Sequence, residues 1–284
     1  MEEYEEVRES IANDVKKLGV QPEELFSVED TDATYEGGRV SVRVYRPSPE
    51  DNIPVVYYIH GGGWIAGSIE THDNICRYLT KKAHCAVVSV DYRRPPEHKY
   101  PAAFDDSWAA FEWIRQQAWQ LRFDVKRLAL VGDSAGGNLV AAICLRLKDE
   151  RRADAVLLQV LVNPALDLSR GSSTYRNYRA FVDWYLNSVA IEGRDRFVSP
   201  LLAPGHRGLP DTFIVTSEED KIRDEGEQYY RKLGAAGVKT SLYEMPGIGH
   251  LGVLWAAAHP EVNLAMARVV GSLKEAFGGQ TILD

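Results

Sequence analysis

The chain has 284 residues, 45% of them hydrophobic, enough to bury a full core at a length where α/β folds commonly form one domain. Lys and Arg number 33 against 41 Asp and Glu, a formal charge of −8, and no basic run is long enough to track phosphates, so nucleic acid is excluded as an expected partner. Cys76, Cys85 and Cys144 lack the paired spacing of zinc sites, and their odd number suits no disulfide framework; they read as small buried hydrophobes.

The N-terminus is acidic where a signal peptide would be basic and then apolar, and no run of about 18 apolar residues could span a bilayer. A cytoplasmic protein with no membrane span is the expectation. Val7, Ile11, Val15 and Leu18 recur at helical spacing, with glutamates early, Lys16 and Lys17 late and Gly19 just beyond, and predict an amphipathic helix. It needs something to lie against, either a core face or the mouth of a site.

Short apolar runs at 40–45, 55–59, 86–90, 128–131, 155–162, 213–216 and 240–243 predict strands. Helical patterns at 102–117, 135–147, 224–236 and 260–277 alternate with them. Such alternation implies an α/β fold with a mainly parallel central sheet and helices on both faces. Residues 169–200 break it: they carry Tyr175, Tyr178, Phe181, Trp184 and Tyr185 and read as an insertion over the sheet. No repeat, low-complexity segment or linker divides the chain, so one domain over 1–284 is expected.

Gly132-Asp133-Ser134-Ala135-Gly136 is a G-x-S-x-G motif between a strand and a helix, the context in which a sharp turn lifts a serine hydroxyl clear of the backbone. The glycine spacing fits neither a dinucleotide fingerprint nor a P-loop. Ser134 is therefore the candidate nucleophile. His60-Gly61-Gly62-Gly63-Trp64 follows a strand, and glycines there let backbone N–H groups approach a reacting oxygen, so Gly62, Gly63 and Ala135 are nominated as oxyanion donors. His60 precedes the serine and is read as structural.

Two histidines follow every plausible acid. His250 lies in a glycine-rich loop after a strand and is the candidate base, whereas His259 precedes Pro260 and reads as a local cap. Asp220, in a polar turn at a strand's C-terminal end, is the favoured acid, with Asp167 as its rival one strand earlier. Serine attack, histidine proton transfer and an orienting carboxylate need no metal and no organic cofactor.

These residues resemble the hormone-sensitive-lipase-like carboxylesterases of the α/β-hydrolase superfamily, over roughly 54–255. His60-Gly61-Gly62-Gly63-Trp64 and Gly132 to Asn138 are similar to the family's two signatures, and Tyr92-Arg93-Arg94-Pro95-Pro96-Glu97-His98 with Tyr100-Pro101-Ala102-Ala103 is similar to its stretch before the first long helix. Asp220-Lys221-Ile222-Arg223-Asp224-Glu225 stands where the family has D-P-L-x-D-E, without the proline, which supports Asp220 over Asp167. Leu251 and Gly252 follow His250 where the family usually has Gly and an aromatic residue.

The resemblance implies an α/β-hydrolase fold with a helical cap, here from about 1–40 and 169–200. It also implies short-to-medium acyl esters of small molecules as substrates. Trp64, Phe181 and Trp184 are the expected substrate-binding side chains, and a homodimer is compatible with the chain. Two other readings stand beside the ester hydrolase: an amide-cleaving relative such as an arylformamidase, and a non-catalytic small-molecule receptor on the same fold.

Overall fold

Alternate residues of the central strands point to opposite sides of the sheet, and both sides are apolar. In β3 (Ile53–Ile59), Val55, Tyr57 and Ile59 join one buried cluster while Val56 and Tyr58 join a second. The computed structural model describes residues 3–250, 254 and 258–279. Around β3 lie β1 (Ser27–Tyr35), β2 (Gly38–Arg46), β4 (Ala86–Asp91), β5 (Phe123–Asp133), β6 (Leu158–Val162), β7 (Asp211–Ser217) and β8 (Thr240–Met245). They form one eight-stranded sheet in the order β1-β2-β4-β3-β5-β6-β7-β8. Only the β1–β2 and β2–β4 pairings are antiparallel.

The helices cover the two faces as the alternation implies. α3 (Ala102–Gln116), α4 (Ala135–Asp149) and α8 (Arg223–Ala235) supply the first cluster, and α2 (Asp73–Ala83) and α9 (Pro260–Ala276) supply the second. α4 is buried along most of its length because it lies over the middle of the sheet. α1 (Glu3–Lys17) has no fully buried residue; glutamates open it, lysines close it, and Gly19 follows at φ +60°.

Two expectations change. The strand predicted from 155 begins at Leu158, because Ala153–Ala155 forms a single 3-10 turn. The N-terminal covering segment expected to reach about residue 40 is shorter, since β1 and the start of β2 are strands of the central sheet. Residues 169–200 do leave the sheet and form three short helices, α5 (Ser173–Asn177), α6 (Arg179–Tyr185) and α7 (Val189–Glu192). All three cysteines are buried and unpaired. No helix among the described residues is long and apolar enough to cross a membrane.

Candidate active site

At the C-terminal end of β5 the chain turns directly into α4 through Ser134, whose φ of 50° and ψ of −116° are strained for a residue with a side chain. The strain is held in place from both sides. Ser134 N–H donates to the Val162 carbonyl at 2.8 Å, and the Ser134 carbonyl accepts from Asn138 N–H at 3.0 Å and Ala165 N–H at 3.3 Å. A Cβ at residue 136 would collide with the Ile59 carbonyl, so only glycine lets α4 start this close to β3.

His250 and Asp220 come from separate loops and meet the serine. Ser134 Oγ lies 2.8 Å from His250 Nε2, and His250 Nδ1 lies 2.9 Å from Asp220 Oδ2. An ionised carboxylate only accepts, so Nδ1 carries the proton and Nε2 presents its lone pair to the serine hydroxyl. The Asp220 side chain is wholly buried, and its Oδ1 accepts from Ile222 N–H at 3.0 Å. Asn163, in the left-handed region at φ 44°, donates through Nδ2 to the His250 carbonyl at 3.0 Å and to Ser217 Oγ at 2.8 Å. One buried amide thus ties the ends of β6 and β7 to the histidine loop. Leu251 and Gly252 lie outside the described residues.

The glycine loop after β3 faces the same serine. Gly62 and Gly63 have φ of +110° and +61°, and Trp64 follows at +65°, stacked on Tyr185 with ring centroids 4.5 Å apart. Gly61 N–H is used by Asp133 at 3.0 Å. Among the described residues no acceptor pairs with the N–H of Gly62, Gly63 or Ala135, which leaves them available to a ligand. His60 is fully buried, stacked on Tyr92 at 4.3 Å, and pushed down to about 3 by burial and by His72, so it is neutral and structural.

A cavity of about 160 Å³ opens onto Ser134 and His250. Gly62, Gly63 and Trp64 form one wall, Thr174, Tyr178 and Phe181 of the inserted helices another, and Ile11 of α1, Ala165 and Ile222 complete it. The sequence left α1 between core packing and a site mouth, and it serves both: Ile11 lines the cavity, and Ile11 and Val15 pack against the second buried cluster. Trp64 and Phe181 line the cavity as expected, but Trp184 does not: it packs against the Phe181 ring, centroids 5.8 Å apart. Tyr178 leans over the His250 ring at 5.1 Å, and burial, with the charge of Asp220, pushes its phenol up to about 12. A larger open groove of about 650 Å³ lies far from this chemistry, beside β1 and β2, where Asp30 and Asp91 are paired with Arg43 and Arg94.

The rival acid has another role. Asp167 Oδ1 accepts from Ser169 N–H at 2.8 Å, and its own N–H donates at 2.9 Å to Glu225. Glu225 of α8 is nearly fully buried and also accepts from Leu166 N–H, Thr174 N–H and Thr174 Oγ1 at 2.7–2.8 Å. It pins the strap that supplies Thr174 to the cavity, and burial pushes it up to about 7 against those donors. His259 stands at the N-cap of α9 as expected, yet its side chain makes no capping bond. The places of Asn163, Glu225, Thr174 and Ile222 at the site were not read from the sequence, although Asn163 stands in an Asn-Pro pair directly after a strand and Ile222 and Glu225 fall in the 220–225 element.

Among the described residues no group of three or more His, Cys, Asp or Glu side chains is placed to hold a metal ion.

The sheet, the strained serine after β5 and the loops at the strand ends define an α/β hydrolase. Residues 55–254 match the model of the alpha/beta hydrolase fold family. The chain is 39% identical over 282 residues to carboxylesterase NlhH of Mycobacterium tuberculosis, covering 93% of this chain and 88% of that one. It is 34% identical over 259 residues to an arylesterase of Saccharolobus solfataricus, covering 87% and 84%. It superposes on the crystal structure of the carboxylesterase EstE1, from a metagenomic library, with a TM-score of 0.92 at 34% identity, covering 97% and 98% of the two chains. On the esterase of Pyrobaculum calidifontis the TM-score is 0.90 at 33% identity, covering 96% and 91%. The chain belongs to the hormone-sensitive-lipase-like carboxylesterase family of the alpha/beta hydrolase fold.

Proposed function

We propose that this carboxylesterase hydrolyses short-to-medium acyl esters of small molecules through an acyl-enzyme on Ser134. The observation that carries this reading is the unbroken row from Ser134 Oγ to His250 Nε2 at 2.8 Å and from His250 Nδ1 to Asp220 Oδ2 at 2.9 Å, set beneath an apolar cavity.

Ser134 Oγ attacks the ester carbonyl while its proton passes to His250 Nε2, and the carbonyl electrons become an oxyanion facing the N–H groups of Gly62, Gly63 and Ala135. Asp220 holds the imidazole in its tautomer and stabilises the imidazolium. The imidazolium protonates the departing alkoxide, and water then repeats the sequence to release the carboxylic acid. Each proton and electron pair is carried by these residues, substrate and water, so the cycle requires no metal or organic cofactor.

The cavity's size and lining narrow the substrate. About 160 Å³ is close to the space that holds one benzene ring. None of its described lining residues is Asp, Glu, Lys or Arg, so an uncharged acyl or aryl group suits it. Three unpaired buried cysteines suit a reducing compartment, and a cytoplasmic site of action is part of this reading.

The test compares p-nitrophenyl esters of increasing acyl length with N-formylkynurenine on the purified protein. Faster turnover of the esters, falling off once the acyl chain outgrows the cavity, is expected. A strong preference for N-formylkynurenine would replace the ester assignment with an amide-cleaving one.

A further inference from the structure

Beneath the glycine loop lies a buried polar cluster that the mechanism above does not use: Tyr58, His60, His72 and Asp133, all buried. Its centre is Asp133, the residue immediately before Ser134. One carboxylate oxygen, Oδ1, accepts from Tyr58 OH at 2.8 Å and Gly61 N–H at 3.0 Å and lies 3.3 Å from His72 Nε2. Burial alone would raise this carboxyl; His72 and Tyr58 outweigh it and hold it below the ordinary carboxylate range, so it is charged.

Gly61 directly precedes Gly62 and Gly63, which lack a Cβ and would leave the loop many conformations unless something fixed them at their positive φ angles. The far side of the loop is tied by Ala66 N–H to the Gly62 carbonyl at 2.9 Å, by Arg94 to the Gly67 carbonyl at 2.6 Å and by Arg8 to the Ile65 carbonyl at 2.6 Å. On the near side His60 Nδ1 lies 2.8 Å from the Gly61 carbonyl and Tyr92 OH donates to the His60 carbonyl at 3.0 Å, while Asp133 is the tie that leads to the nucleophile elbow. It also fits tightly, since a Cβ at residue 61 would strike the Asp133 carboxylate.

Two pieces of backbone from different elements must therefore meet at one oxyanion: Gly62 and Gly63 after β3, and Ala135 at the start of α4. A single side chain, one residue from Ser134 and bonded one residue from Gly62, joins them. We propose that Asp133 is a positioning residue whose buried carboxylate sets the glycine loop against the nucleophile elbow, and so fixes the geometry of the oxyanion hole without touching substrate. This rests on the assignment of Gly62, Gly63 and Ala135 as oxyanion donors.

The test uses the full chain and three variants, Asp133→Ala, Tyr58→Phe and His72→Gln. Four quantities are read for each: kcat and KM on p-nitrophenyl butyrate, the inhibition constant of an aryl trifluoromethyl ketone, and the melting temperature. The ketone adds to Ser134 Oγ, passes the serine proton to His250 and places its oxyanion in the hole, so its affinity reports hole geometry. Loss of one donor from such a hole costs about 10²–10³-fold in kcat. Asp133→Ala removes the oxygen that accepts from both Gly61 and Tyr58, and should lose roughly ten- to a hundredfold in kcat with KM within about threefold, ketone affinity falling by the same factor. Tyr58→Phe and His72→Gln leave the Gly61 bond and should lose less, on the same line of ketone affinity against kcat/KM.

Folded Asp133→Ala protein with kcat and ketone affinity within about twofold of wild type would overturn the proposal. If Asp133→Ala does not fold, the other two carry the test: a fall in kcat without a matching fall in ketone affinity overturns it. Failure of the underlying assignment looks different, because wild type itself would then be insensitive to the ketone.

Discussion

Residue 63 has two demands on it: a φ of +61° and a position where any Cβ would collide with the Phe181 ring. Gly63→Ala should therefore push the loop or the Phe181 ring aside, lower the melting temperature, and lose about a hundredfold or more in kcat as one oxyanion donor is displaced. Thermal melting and steady-state kinetics check both halves; unchanged kcat would remove Gly63 from the hole. Phe181 lines the cavity and Trp184 stands behind it, so Phe181→Ala should move the preferred acyl length up by about two carbons or more. Trp184→Ala should move it less, and equal shifts would mean that both rings touch substrate. At this scale legibility depended on motifs. Ser134, His250 and the glycines sit in short patterns whose backbone demands are unusual, and Asp220 sits at a strand end. Asn163 showed only as an Asn-Pro pair after a strand and Glu225 only as the end of the 220–225 element; what each holds was not legible, because a buried polar residue that holds backbone looks in sequence like any exposed one.

The element whose role is least evident from its own packing is α1. It buries no residue fully, yet Arg8 reaches the Ile65 carbonyl, the Pro95 carbonyl and both oxygens of Glu97, while Ile11 reaches the cavity. Arg8 holds Glu97 down to about 2, so this latch stays charged well into acid. The pair is half exposed, and salt screens it. Arg8→Ala should raise KM by roughly three- to tenfold with kcat little changed, and high salt should move wild type part of the way. A fall in kcat at constant KM would show that Arg8 acts through the glycine loop and not through the cavity mouth. Most elements were legible because apolar runs of strand length alternate with longer helical patterns. β1 was not: Glu29, Asp30 and Thr31 are exposed and only Ala33 is buried. Its pairing with β2, including Asp30 to Arg43 at 2.6 Å, is made by the partner strand and by charges that suit an exposed edge.

Across the whole molecule, the sheet brings loops from β3, β5, β6, β7 and β8 to one end, where the site lies. Near neutral pH its stability should follow the ionisation of Glu225. Glu225 rises from an ordinary 4.5 to about 7 because it is buried. A carboxyl raised in the folded state contributes stability that is complete below its unfolded value and is lost as pH rises through the folded one. Glu225→Gln cannot ionise, so the melting-temperature gap between wild type and this variant should narrow, or shift in the variant's favour, from pH 5 to pH 8. A gap constant across that window would mean that Glu225 is charged throughout. The central claim concerns Ser134. Wild type and Ser134→Ala, assayed side by side on p-nitrophenyl butyrate above the acid range, test it most directly. A loss of roughly 10⁶-fold in kcat with the fold intact is expected, as for removal of a serine nucleophile elsewhere. A variant as fast as wild type, or a wild type that turns over no ester, would contradict it.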